Sequence, residues 1–141
     1  AEHVRGLVPR IRVMFVVDTL EYLHKGGRIG GAKRLVGSML SIKPVLHIEN
    51  GQIEPLASVR TKSKAIAHML EIILGEMQGK QNIHAGIIHA GVPQDAERIR
   101  EQILAAVKPQ ELLVNELTPV LGANVGPGIV GMGYYLSLIH I

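Results

Sequence analysis

The chain has 141 residues, 47% of them hydrophobic, and a formal net charge of +3 at pH 7. That length suits one domain with a real core, the hydrophobic content excludes a disordered chain, and so mild a charge gives only a weak preference for anionic partners. The absence of cysteine excludes a disulfide scaffold, a thiolate metal site and a cysteine nucleophile, and it points to the cytoplasm.

Only Phe15 and Tyr22, Tyr134 and Tyr135 are aromatic, too few for the stacking platforms of a single-strand binder, so no nucleic acid is expected as partner. No apolar run approaches the ~18 residues of a membrane span, and none is expected. Residues 1–12 lack a sustained period and read as an extended leading segment or interdomain linker. Ile11, Val13 and residues 15–17 form a β-branched run of strand type. Asp18-Thr19 precedes a helical Leu20, Leu23 spacing, so one of the pair is expected to cap a short helix that stops at Gly26-Gly27. A second helix is predicted over residues 31–40, with Ala32, Leu35, Val36 and Met39 on its apolar side.

Residues 45–49 and 52–60 flank Asn50-Gly51, a strong hairpin signal, and Pro55 places the second strand at an edge or on a bulge. Thr61 or Ser63 caps the next helix, whose apolar stripe runs through Ala65, Ile66, Met69, Leu70, Ile73 and Met77 to a stop near Gly79. Residues 83–90 read as a buried strand. Pro93 then opens a helix whose stripe is Ala96, Ile99, Ile103 and Val107. A strand over 112–117, a glycine loop over 122–128 and a glycine-rich strand over 129–135 complete the order. Alternating strands and helices with one hairpin predict the α/β class, a mixed β-sheet packed with helices.

The loop Gly122-Ala123-Asn124-Val125-Gly126-Pro127-Gly128 reads first as a tight strand-to-strand connection and second as an anion site, since glycine lets backbone amides approach a ligand. Arg28 sits on the segment Lys25-Gly26-Gly27-Arg28-Ile29-Gly30, which lacks the spacing of nucleotide loops but could hold a carboxylate or phosphate in a bidentate pair. Arg60, between a strand and a helix, reads first as an exposed charge. The seven histidines show no metal-ligand spacing. His84 and His89 fall on opposite strand faces, and His89 reads first as structural. Asp18 reads first as a helix cap. No residues are placed for catalysis, and no cofactor is implied.

Several motifs occur in one order: Val17-Asp18-Thr19-Leu20-Glu21-Tyr22-Leu23, Lys25-Gly26-Gly27-Arg28-Ile29-Gly30, Ser41-Ile42-Lys43-Pro44-Val45-Leu46, Val59-Arg60-Thr61-Lys62 and Gly126-Pro127-Gly128. In that order they resemble the C-terminal domain of the DegV family of fatty-acid-binding proteins, over roughly residues 13–135. The resemblance implies a DegV C-terminal-domain-like fold over 13–135; residues 136–141 have no clear match to the family's ending and read as a tail or an extra strand. It implies a carrier rather than an enzyme. A long-chain fatty acid would lie in an apolar tunnel against a missing N-terminal domain whose hydroxyls grip the carboxylate.

The resemblance makes Arg28, Arg60, Asn124, Gly126 and Gly128 candidates for head-group or partner contacts, the partner being a fatty-acid kinase that receives the presented acyl chain. Asn124 stands where family members that serve the kinase commonly have histidine. An amide still hydrogen-bonds a carboxylate but is not protonated near neutral pH. The chain alone is expected to bind fatty acid poorly and to self-associate through its exposed apolar wall. The alternative is a small enzyme or regulator that binds a phosphorylated metabolite through Arg28, Arg60 and the glycine loop.

Overall fold

The predicted hairpin is the local feature that sets the sheet's first edge. In the computed structural model, which describes residues 11–137, Lys43–Glu49 (β2) and Gln52–Val59 (β3) pair antiparallel. Asn50 and Gly51 turn with φ of 52° and 76°, the paired positive angles that suit a two-residue hairpin. Register shifts between Val45 and Leu46, which pair with Ala57 and Pro55, so Leu56 is the extra residue of a bulge. β3 is also the edge strand, so Pro55 lacks a donor where none is needed.

Arg12–Val16 (β1), Ile83–His89 (β4), Glu111–Glu116 (β5) and Val130–Leu136 (β6) complete a six-stranded sheet in the order β3-β2-β1-β6-β4-β5. The β4–β5 pairing is parallel and the others are antiparallel, which makes the sheet mixed as expected. Helices Glu21–Lys25 (α1), Lys62–Met77 (α2), Pro93–Ala106 (α3) and Pro119–Val125 (α4) connect the strands. Among the described residues no helix is long and apolar enough to cross a membrane. Residues 1–10 of the expected leading segment 1–12 and the end of the expected tail, 138–141, lie outside the described residues, and Arg12 already belongs to β1.

Alternation along the strands sorts side chains into two layers. On one face Met14, Val16, Ile83, Ala85, Ile87, Val130 and Met132 pack with the predicted stripes of α2 and α3. Thr61 caps α2, its hydroxyl oxygen accepting from the Lys64 amide at 3.2 Å. On the other face Phe15, Val17, Leu46 and Ile129 pack under Leu20, Leu23, Ile29 and Ala32. That cover comes from α1 and a 3₁₀ helix, Gly30–Ser38, where the sequence predicts an α-helix over 31–40. Its expected apolar side is kept. Gly30 and Gly31 open this nine-residue run pressed so closely against β3 that a Cβ at Gly30 would lie 2.6 Å from the Ile53 carbonyl oxygen.

A polar network crosses the α2 layer. Arg12 reaches Glu76 at 3.1 Å and donates to Nδ1 of His47 at 2.6 Å, while the Tyr134 hydroxyl donates to Glu76 at 2.6 Å. Burial foremost, then the Glu76 hydrogen bond, raises the Tyr134 pKa and keeps that hydroxyl a donor. Burial, and then the Arg12 cation, lowers the His47 pKa from its ordinary 6.5, against the opposing pull of Glu49, Glu54 and Glu76. An unfolded chain therefore takes up a proton at a pH where the folded one does not, so stability falls as pH drops below 6.5 toward the folded value. His47→Gln is expected to remove that part of the pH dependence, read as a smaller loss of urea stability than the parent shows between pH 7 and pH ~5.

Candidate functional site

The ends of β1 and β4, the starts of α2 and α3 and the turn before β6 meet at one end of the sheet. Lys62 is the first residue of α2, one after its cap, and its side chain is only 19% exposed. Its ammonium donates to the Gly128 carbonyl at 2.6 Å and pairs with Asp95 at 2.9 Å and Asp18 at 3.3 Å. Three protons thus meet three acceptors. Lys43 adds a bond from Nζ to the Asp18 carbonyl at 2.6 Å. Asp18 is therefore an ion-pair partner rather than the expected cap; Thr19 accepts from the Glu21 amide at 3.2 Å.

The stretch 122–128 is not a continuous loop. Thr118 accepts from the Leu121 amide at 3.3 Å and Pro119 opens α4, which runs through Val125. The turn itself is Gly126-Pro127-Gly128, with φ of 108° and 87° at its glycines. A Cβ at Gly126 would press on the Tyr22 ring, 3.0 Å from Cδ2, and one at Gly128 would overlap the Asp18 carboxylate. The Gly126 amide donates to Gly122 and the Gly128 amide to Ala90, at 2.8 and 2.9 Å. Both amides are committed within the chain.

Beside this turn lies a pocket of about 570 Å³ lined by Tyr22, Ala90, Leu117, Pro119, Gly122 and Pro127, among others. Among the described residues its lining holds no cation, and the acidic Glu116 stands at it. Asn124 is exposed on α4 and does not line the pocket. Arg28 is exposed and lines a separate recess with Gly27, Gly30 and Gln52. Arg60 is exposed between β3 and the Thr61 cap. The turn and the two arginines are not brought together in one cavity.

A groove of about 340 Å³ continues along β4 and β5, on the sheet face that α1 and the 3₁₀ helix leave open, lined by Ile11, Gly86, Ile88, Leu113, Gly133 and neighbours. Gly86 and Gly133 face each other across β4 and β6. No atom stands within 4 Å of a Cβ built at Gly86, so the groove is open where a side chain would otherwise stand. Sequence reasoning missed this floor because it depends on register. His89, by contrast, is structural as read: it is buried, and its Nδ1 accepts from the Val92 amide at 3.1 Å at the start of α3. Among the described residues no group of three or more histidine or acidic side chains could hold a metal.

Lys62 was visible only as part of a motif. Lys62→Met leaves Asp18, Asp95 and the Gly128 carbonyl without their shared donor. It is expected to cost about 1–3 kcal/mol in urea unfolding, the penalty of partly buried acceptors losing their partner. An unchanged midpoint and slope would show that the ammonium does not hold the turn.

Comparison with known proteins agrees with this architecture. A family model described as DegV, an uncharacterised protein family, matches residues 1–137. A DegV domain-containing protein of Halalkalibacterium halodurans is 36% identical over 136 residues, covering 96% of this chain and 48% of the relative. One of Streptomyces coelicolor is 44% identical over 119 residues, covering 84% and 42%. The crystal structure of a fatty acid binding DegV family protein from Streptococcus agalactiae superposes with a TM-score of 0.83 at 29% identity, covering 96% of this chain and 48% of that one. A DegV family protein from Thermus thermophilus, described for its fatty acid binding, does so at 0.83 and 35% with the same coverage. The chain spans about half the length of the curated relatives it matches. On sequence and fold alike, it belongs to the DegV family.

Proposed function

We propose that this chain is the lipid-binding half of a fatty-acid carrier and performs no catalysis of its own. The observation that carries this reading is the pocket beside Gly126-Pro127-Gly128 followed, along the same two strands, by the glycine-floored groove. Together they offer a mostly apolar track on one sheet face, with Asn115 and Glu116 where the two approach, and largely apolar concavities are what long flexible lipids fill. The fatty acid binding described for the Streptococcus agalactiae and Thermus thermophilus relatives supports the same ligand class.

Because the described residues of the pocket lining include no cation, the carboxylate is proposed to be gripped by hydroxyls of the N-terminal domain. Leu113, Val120 and Leu121 are exposed around the track, and they supply an apolar face for that domain or, without it, for self-association. The phosphometabolite reading is disfavoured because Arg28, Arg60 and the turn do not line one cavity.

Gly86→Leu tests the track directly. The site has room for a side chain and ordinary strand geometry, so the variant is expected to melt with the parent and to lose fatty acid. Native mass spectrometry of the two-domain protein with oleate reads this. Parental occupancy in a folded variant would overturn the reading.

Presentation to a fatty-acid kinase is the second part of the proposal. Arg28, Arg60 and Asn124 are exposed, which suits contacts with a partner protein better than with a buried ligand. Asn124→His restores a group that can carry a proton near neutral pH. In the two-domain protein it is expected to keep lipid binding and raise acyl-phosphate formation by the kinase. Loss of binding in that variant would place position 124 at the ligand instead.

A further inference from the structure

One end of the glycine groove is lined by side chains that neither core layer uses. His84 lies flat on Tyr135, ring centroids 4.8 Å and planes 4° apart, and its Nδ1 stands 3.3 Å from Glu111. The three residues form one cross-strand row over β5, β4 and β6. In the next row on the same face stand Leu113, Gly86 and Gly133. Within one row the floor changes from two bare glycines to two stacked rings and a carboxylate.

We infer that the His84–Tyr135 stack sets the length of acyl chain this groove accepts, an inference that rests on the lipid reading above. From Ala90 in the pocket to His84 is six residues of strand direction, roughly 20 Å at the rise of a β-strand. One leaflet of a bilayer's hydrocarbon core, whose chains are kinked and tilted, is about 15 Å deep; the same long chain fully extended is longer than that and approaches the stack, whereas a medium one stops short. Stacked rings are held against rotation by each other and do not yield as a methionine would. Beside them in the same row, a terminal methyl would push against the Glu111 carboxylate and strip it of water without offering a hydrogen bond. The row therefore stops the chain by shape and penalises overrun by polarity.

The two-domain protein is to be offered an equimolar mixture of saturated fatty acids from myristic to arachidic, with occupancy read by native mass spectrometry. His84→Ala removes the ring and is expected to move the preferred chain one or two methylenes longer, at about fourfold in relative occupancy per methylene. His84→Trp fills the end and is expected to move it shorter by the same measure. Retained binding with an unchanged length profile in both variants overturns the inference and leaves the lipid reading intact. Failure of the parent protein to take up any of these acids overturns the lipid reading, and the inference falls with it.

Discussion

One ammonium group holds together the end of the sheet where the pocket opens. The turn after β1, the start of α3 and the turn before β6 each bring an acceptor to that end, and Lys62 at the start of α2 meets all three. Without a cation there, two carboxylates and a carbonyl would face each other in partly buried surroundings, an arrangement that costs more than a surface ion pair contributes. The tight seating of Gly128 against Asp18 follows, since only a residue without Cβ leaves room for the carboxylate to reach the lysine. The geometry of the turn before β6 and the need for glycine at 128 thus both answer to one charge.

The sheet uses its two faces differently. One is filled by α2 and α3 with aliphatic side chains and closed by the Arg12, His47, Glu76 and Tyr134 network. The other is filled only over β1, β2 and β3, where α1 and the 3₁₀ helix cover it. Over β4, β5 and β6 the same face carries glycines and part-exposed side chains. A fold that covered both halves would bury more apolar area and be more stable; leaving one half open is what creates the apolar track.

Much of the fold was legible in local signals. Asn50-Gly51, the Thr61 cap and the four-residue repeats of α2 and α3 each act through neighbours within a turn or two of chain, and each formed where expected. Helix α4 was missed although Thr118-Pro119 is a capping residue followed by a first-turn proline; the glycines on either side of Asn124 drew the reading toward a loop. Asp18 was misread for a related reason, because sequence shows a carboxylate before a helix and not the lysine forty-four positions on that claims it. The groove floor was out of reach altogether. It exists only because Gly86 and Gly133 stand in register, and register between β4 and β6 is settled by pairing across the whole sheet.

The bulge at Leu56 and the proline beside it act beyond the hairpin. They leave the outer side of β3 twisted and short of one donor, so a strand from another molecule finds a poor template there. The opposite edge, β5, carries no proline and no bulge and ends in Glu111 and Glu116. The sheet is therefore polar in its capacity to grow: blunted at one margin, and at the other guarded only by two negative charges.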